Sequence, residues 1–174
     1  MILSIRRYGD PILRINCKEI DVFDSSIYNF INDMFETLYQ TLGVGLAAPQ
    51  VGKNLRIFVI DTSTFIIDKE EKPFRRVFIN PKIVKIFGKT WKFKEGCLSF
   101  PNITAKIERY ELIQLKYYNE YMVKCEEIFQ GFSSRVIQHE YDHIEGKLFI
   151  DNFKRERLNK RFKGRLFIPP LFSL

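Results

Sequence analysis

The residues best suited to chemistry stand in one pentapeptide, His139-Glu140-Tyr141-Asp142-His143. If this stretch is helical, its two histidines project from one face, one turn above the other. Two imidazoles in that position can hold one divalent metal, and the glutamate between them can reach a water on that metal as a general base. Both histidines of the chain are here. We therefore prefer metal-assisted hydrolysis to the alternative, a surface helix that shows the pattern by chance.

The flanking sequence favours a helix. Gly131, Ser133 and Ser134 supply a start and a cap, and Gly146 offers a stop. The apolar positions at near-helical spacing are Val136, Ile137 and Ile144.

A catalytic metal usually keeps three protein ligands and one open position, so a third donor is needed. No histidine remains, which leaves the carboxylates and three cysteines. Cys97 follows Gly96 between predicted strands, whereas Cys17 lies near the N-terminus and Cys125 alternates along a predicted strand as a small hydrophobe. Alone, Cys97 would more often be an inert core cysteine, but the two histidines favour it as a ligand. A thiolate with two imidazoles suits zinc or ferrous iron.

Length and composition favour a single soluble domain over residues 1–174. The net charge of +7 is spread along the chain until a basic tail at about 152–174. Three separated cysteines suit a reducing cytoplasm better than a disulfide framework. The sequence shows no signal-peptide core and no apolar run near the ~20 residues that span a bilayer, so we expect no membrane partner.

The chain pattern predicts an α+β fold, with antiparallel or mixed sheets packed around the metal-binding H-E-x-x-H helix. An N-terminal helix capped by Asp24 or Ser25 is expected to end near Leu42, before Gly43. A glycine-rich segment follows at 43–52, and it lacks the Gly-Lys-Ser/Thr ending of a nucleotide-binding loop. A short, basic C-terminal helix is expected at 151–163.

The strands are expected between these helices. Pro81 should separate two of them, and Asn119-Glu120 should form a tight hairpin turn. The predicted strands are 55–61, 77–80, 82–87, 91–94, 103–108, 111–118 and 121–129.

Three stretches together resemble the signature motifs of the peptide deformylases. They are G-V-G-L-A-A-P-Q at 43–50, E-G-C-L-S at 95–99 and Q-H-E-Y-D-H at 138–143. Their order and rough spacing also match, and the resemblance covers residues 1 to about 151. It implies a metal-dependent hydrolase of linear amides that removes the N-formyl group from the formyl-methionine of newly made polypeptides, releasing formate.

The resemblance implies a catalytic role for each matching position. The implied metal ligands are Cys97, His139 and His143. Glu140 would be the catalytic acid and base. The Gln50 side chain and the backbone N–H of Leu98 would polarise the formyl oxygen. The family favours one divalent ion, Fe²⁺ in the cell, although Zn²⁺, Ni²⁺ or Co²⁺ fit the same donors.

The resemblance also implies substrate contacts and a supporting ion pair. The backbone of Gly45 would pair with the substrate peptide by strand addition. Glu95 and Arg109 would form a structural pair. The other substrate-binding candidates are Val44, Leu46, Gly96, Phe132 and Val136. Of these, Leu46, Phe132 and Val136 suit the ordinary core at least as well as a methionine pocket.

The chain departs from the family pattern at three places. Phe100 stands where the family more often has a small aliphatic residue, and it could reshape the rim of the site, and Ser133-Ser134 stand where a pair such as Leu-Ala is common. The C-terminus ends in an apolar, proline-containing stretch. Basic residues before it could contact ribosomal RNA phosphates or simply be solvated. They are Lys154, Arg155, Arg157, Lys160, Arg161 and Lys163.

Two other functions compete with formyl hydrolysis. One is a metallopeptidase or amidase that uses the same helix on internal peptide bonds, and the segments at 43–50 and 95–99 argue against it. The other is a basic RNA- or ribosome-binding protein with a structural metal, which would need neither Glu140 nor Gln50. No DNA partner is expected.

Overall fold

The computed structural model describes residues 1–65 and 72–152. The predicted helix at 151–163 and the basic tail fall almost wholly outside the described residues. The regular elements are the helices α1 (Ser25–Gln40) and α2 (Gly131–Ile144) and the strands β1 (Gly45–Ala47), β2 (Ile57–Asp61), β3 (Arg75–Cys97), β4 (Phe100–Tyr118) and β5 (Lys124–Gln130). Short 3₁₀ turns occupy Pro11–Arg14, Ala48–Val51, Thr62–Thr64 and Phe149–Asn152.

The five strands form one antiparallel sheet in chain order, from β1 at one edge to β5 at the other. The α+β prediction is therefore confirmed. The strands predicted between 77 and 118 merge into the two long strands β3 and β4, so the predicted break at Pro81 is wrong. The pairing register shifts between Ile79 and Lys82, and this irregularity accommodates a proline because it interrupts the ladder where proline has no N–H to donate.

The predicted N-terminal helix is confirmed as α1, but its end is not where it was expected. Asp24 caps the start by accepting hydrogen bonds from the N–H groups of Ser26 and Ile27. The helix ends at Gln40. Two residues later, Leu42 has φ of 55° and so takes the left-handed conformation that was expected of Gly43. The residue with the left-handed conformation is thus Leu42, one position before the glycine.

The hairpin between β4 and β5 is longer than the predicted two-residue turn. The N–H of Asn119 donates to the carbonyl of Val123 at 3.0 Å, and the N–H of Met122 donates back to Asn119 at 3.0 Å. The Asn119 side chain also accepts from the N–H groups of Tyr121 and Val123. This side chain supplies bonds that a tighter turn would take from the backbone.

The sheet is covered on both faces at β2, where successive side chains point to opposite sides. Ile57 and Val59 pack with α1, whereas Phe58 and Ile60 pack with α2. A helix on each face explains why every residue of β2 is buried. In the described ranges, no helix is long and apolar enough to cross a membrane.

The helix α2 carries the H-E-x-x-H pentapeptide, as the sequence predicts, but its serines do not cap it. Gln130 occupies the cap position without a side-chain hydrogen bond, and Ser133 and Ser134 are buried inside the helix. After the helix, Gly146 has φ of 71° and lies directly against the backbone of Arg14. This glycine ends α2 where the N-terminal segment crosses it.

We predict that Gly146→Ala destabilises the fold by at least ~2 kcal/mol, because it combines a left-handed conformation with a backbone clash. A Cβ there would lie 2.6 Å from the Arg14 carbonyl oxygen. The control is Gly9→Ala, which also has positive φ but meets nothing within 4 Å. Urea unfolding measures both, and equal losses would contradict the close-approach argument.

Candidate metal centre

The end of β3 meets the middle of α2 at a buried cluster of three donors. Cys97 is the last residue of β3, and His139 and His143 lie one turn apart on α2. Their ligand atoms all lie within 4.8 Å of one another, and the Cys97 Sγ is 3.2 Å from the His143 Nε2. All three side chains are buried. The structure thus brings together the three residues that the sequence nominates as ligands.

Unsatisfied ring nitrogens show that this cluster suits a cation. The His139 Nδ1 is 3.0 Å from a Glu95 carboxylate oxygen, which leaves the His139 Nε2 without a partner among the described residues. Burial holds the pKa of His143 well below its ordinary value, so that ring is neutral. Buried polar atoms without partners are costly. A sulfur and two imidazole nitrogens converging on one point therefore fit a divalent metal.

Cys97 is a protonated thiol in the metal-free protein and would lose its proton when it binds a cation. Burial is the main cause that raises the pKa of the Cys97 thiol, so the sulfur is protonated at neutral pH in the metal-free protein. Because a thiol coordinates as its thiolate, metal binding at this site should release a proton.

Glu140 lies beside the cluster in the buried interior. Its side chain is fully buried, and neither carboxylate oxygen has a hydrogen-bond partner among the described residues. Burial is the main cause that raises its pKa well above the ordinary value. A cation at the neighbouring donors would lower the pKa again. Such a carboxylate can both take up and release a proton near neutral pH.

Gln50 is oriented with its donor end toward the cluster. The N–H of Ala47 donates to the Gln50 Oε1 at 2.8 Å, and the Gln50 Nε2 lies 3.5 Å from the Cys97 Sγ. The short 3₁₀ turn of residues 48–51 keeps this fully buried side chain in place. Leu98 occupies the turn that joins β3 to β4, next to Cys97.

Glu95 anchors the cluster from behind, and its predicted ion pair with Arg109 is present. The Arg109 guanidinium donates to both carboxylate oxygens, at 2.7 and 3.1 Å, and reaches Asp142 at 2.9 Å. Burial opposes ionisation, but the His139 hydrogen bond and the Arg109 charge lower the pKa of Glu95 to about 2. The carboxylate is therefore charged and fixes the orientation of the His139 ring.

The residues predicted to line the substrate pocket lie on both faces of the sheet. Val44, Phe132 and Val136 belong to the core on the α2 face, whereas Leu46 packs with α1 on the opposite face. Gly96 is buried next to Cys97. The structure therefore separates Leu46 from the other two predicted pocket walls.

Phe100 does not reshape a rim, contrary to the sequence expectation. Its side chain is only 2% exposed and lies between the rings of Tyr8 and Phe149. Phe149 in turn contacts the His139 ring, at 5.9 Å between centroids. The larger side chain is thus absorbed by the aromatic packing behind a ligand.

Sequence reasoning missed one member of the cluster, Arg135. This fully buried residue donates to Glu95 at 2.5 Å, from the helical turn before His139. The available signal was its spacing, because a residue four positions before a ligand shares the ligand's helix face.

Three donors, one cysteine and two histidines, with a buried glutamate beside them are typical of a metal-dependent hydrolase. Residues 2–159 match the family described as polypeptide deformylase. The peptide deformylase of Karelsulcia muelleri is 49% identical over 152 residues, covering 87% of this chain and 78% of that protein.

Two solved peptide deformylase structures superpose well. The one from Thermotoga maritima is 42% identical with a TM-score of 0.78, covering 88% of this chain and 99% of that one. The one from Legionella pneumophila is 39% identical with a TM-score of 0.83, covering 94% and 93%. The chain belongs to the polypeptide deformylase family, and its activity is the removal of N-formyl groups from nascent peptides.

We predict that Gly45→Ala damages turnover more than stability. A Cβ at Gly45 would lie 2.5 Å from the Glu140 Oε1 and 2.8 Å from its Cγ, so the carboxylate must move. Misplacement by ~1 Å can cost ~10²-fold in rate. The control is Gly43→Ala, whose Cβ would crowd the ends of two leucine side chains and meet the Gly45 carbonyl oxygen at an ordinary 3.6 Å. Formate release within a few-fold of wild type for Gly45→Ala would contradict this reading.

Acid sensitivity should follow the low pKa of Glu95. Its folded value of about 2 lies below the ordinary 4.5, so its contribution is fully present above the ordinary value. That contribution is lost as pH falls from about 4.5 toward 2. The stability gap between wild type and Glu95→Gln should narrow by about 3 kcal/mol over that range. Denaturant unfolding at several pH values measures it, and a gap that stays constant would refute the assignment.

Proposed function

We propose that this chain carries out formyl hydrolysis at one divalent metal held by Cys97, His139 and His143. The observation that carries the proposal is the convergence of the three ligand atoms within 4.8 Å in a buried site. When bound, the cation would supply a Lewis acid that lowers the pKa of water and polarises a carbonyl. The helix α2 is then the metal-binding centre of the fold.

Glu140 is proposed as the proton carrier. Its two oxygens have no partner in the described parts of the chain, so they are free to accept a proton from the attacking water. The same carboxyl then donates that proton to the leaving amine, which departs poorly without it. Its burial suits both steps because it keeps the pKa of Glu140 from falling to that of an exposed glutamate.

Gln50 and Leu98 are proposed to stabilise the charge that develops on the formyl oxygen. The bond from Ala47 fixes the Gln50 carbonyl, so its NH₂ group faces the cluster. An amide donates without titrating, which suits this role. Losing one such donor typically costs ~10²–10³ in rate. The backbone N–H of Leu98 would be the second donor.

Substrate selection is proposed to rest on the free edge of the sheet. Among the described residues, β1 pairs with β2 alone, so the outer edge of its backbone at Gly45 has no partner strand there and would pair with an extended peptide. Such pairing reads the main chain rather than the sequence. Phe132 and Val136, together with Val44, would supply apolar walls for the methionine side chain.

The metal in the cell is proposed to be Fe²⁺, with Zn²⁺, Ni²⁺ or Co²⁺ as substitutes, because thiolate and imidazole donors accept all four. We also place the protein in the cytoplasm as a single domain. Formyl-methionyl nascent peptides are its substrates, and the basic segment beyond 152 would contact ribosomal phosphates.

Anaerobically prepared protein separates this function from its competitors. Formate should be released from formyl-Met-Ala-Ser, while unformylated Met-Ala-Ser should stay intact. Cleavage of the internal bonds would instead indicate a metallopeptidase. Metal removal should abolish turnover while the protein stays folded. A protein that shows no turnover with its metal and unfolds when the metal is removed would instead contain a structural metal.

The variant Glu140→Gln should retain the metal and lose ~10²–10⁴-fold in kcat, because proton transfer is removed while the ligands remain. The control is Glu145→Gln at the end of the same helix, where Glu145 forms an ion pair with Arg56. This control should lose stability but keep turnover. Near-normal formate release by Glu140→Gln would remove Glu140 from the proton-transfer role.

A further inference from the structure

The Glu95 carboxylate is held by more donors than its family pairing requires. Its Oε1 accepts from the Arg109 Nε at 2.7 Å and from the Arg135 Nη1 at 2.5 Å. Its Oε2 accepts from the Arg109 Nη2 at 3.1 Å and from the His139 Nδ1 at 3.0 Å. A carboxylate offers about four acceptor sites, so this one is filled and has a single orientation.

Arg109 cannot fix that orientation alone, because it serves two carboxylates. Its Nη1 donates to Asp142 at 2.9 Å, at the surface side of α2. Arg109 and Arg135 together balance the charges of Glu95 and Asp142. Without Arg135, one buried guanidinium would face two carboxylates, and Glu95 could turn away from His139 toward Arg109.

The Arg135 side chain is held in place between α2 and the hairpin that β3 and β4 form. Its Nη1 also donates to the carbonyl of Ile107 at 3.1 Å, and its Nη2 donates to the carbonyl of Trp91 at 2.6 Å. Its guanidinium carbon lies 4.1 Å from the centroid of the Trp91 ring. These contacts join α2 to β3 and β4 and leave the side chain fully buried.

Burial of an arginine is weak evidence of a stabilising role. An apolar residue of similar volume often packs as well or better than a buried ion pair. The position of Arg135 points to a role beyond stability. Arg135 lies one helical turn before His139, and both side chains donate to the Glu95 carboxylate. Partners of ligating histidines typically change metal affinity by ~10–100-fold when removed.

We propose that Arg135 is a positioning residue. It holds Glu95 in the orientation that aims the His139 Nε2 at Cys97 and His143. The inference rests on the proposed metal ligands. It adds a determinant of metal retention that acts through Glu95 and does not touch substrate.

The test is Co²⁺ affinity, measured by chelator competition on the full chain, with Arg135→Met as the main variant. Its dissociation constant for Co²⁺ should rise ~10–100-fold, and the visible band of the Co²⁺-thiolate site should shift. The control is Arg56→Met, a buried arginine that contacts the other end of α2 through Tyr141 and Glu145. It should lose stability but keep its Co²⁺ affinity within about threefold.

A conservative variant keeps the proposal testable if Arg135→Met does not fold. In Arg135→Lys, one ammonium cannot reach Glu95 and both carbonyls together, so Co²⁺ affinity should fall between wild type and Arg135→Met. Trp91 is the only tryptophan and contacts Arg135 directly, so far-UV circular dichroism, rather than its emission, checks that each variant is folded.

Three results decide the matter. Folded Arg135→Met with Co²⁺ affinity within about threefold of wild type would overturn the proposal, and if Arg135→Met does not fold, the same result in Arg135→Lys would overturn it. So would an equal loss in Arg56→Met, which would indicate a general effect of stability. A wild-type chain that binds no Co²⁺ through sulfur would instead refute the ligand set, before Arg135 is in question.

Discussion

The structure depends on one contact between two elements that are distant in sequence, the meeting of the end of β3 with the middle of α2. The sulfur of Cys97 and the ring of His143 come within 3.2 Å there. Neither element could place these atoms alone, because the strand supplies the sulfur and the helix supplies both imidazoles. The packing of α2 on the sheet therefore sets the geometry on which the proposed chemistry rests.

The buried Glu95 carboxylate and its partners keep the end of β3 and the middle of α2 in their relative positions. Glu95 lies two residues before Cys97 and accepts hydrogen bonds from side chains of β4 and α2. Because a buried carboxylate is costly unless every lone pair is used, any shift of α2 along the sheet would expose unsatisfied groups. The same network that orients a ligand thus also resists sliding of the helix.

Local sequence patterns predicted what depends on local geometry. The spacing of His139 and His143 gave the helix face, because helical periodicity is a property of the segment itself. The choice of Cys97 needed more, since nothing in the strand shows which face meets the helix. It came from the missing third ligand and from the resemblance of three motifs.

Features set by tertiary packing escaped prediction. Pro81 lies in a continuous strand because a shift in pairing accommodates it, and such a shift depends on the partner strand. Leu46 and Val136 are both fully buried, yet they lie on opposite sides of the sheet. The spacing of Arg135 places it on the helix face of His139, but its residue type argues against burial, because a charged residue in a helix is exposed far more often than not.

The central claim is that Cys97, His139 and His143 bind one metal ion together. X-ray absorption at the metal edge of the loaded protein tests it directly. We expect one sulfur at ~2.3 Å and two imidazole nitrogens at ~2.0–2.1 Å when the metal is zinc. A spectrum with only nitrogen and oxygen scatterers would show that the cysteine is not a ligand, and the account would fail.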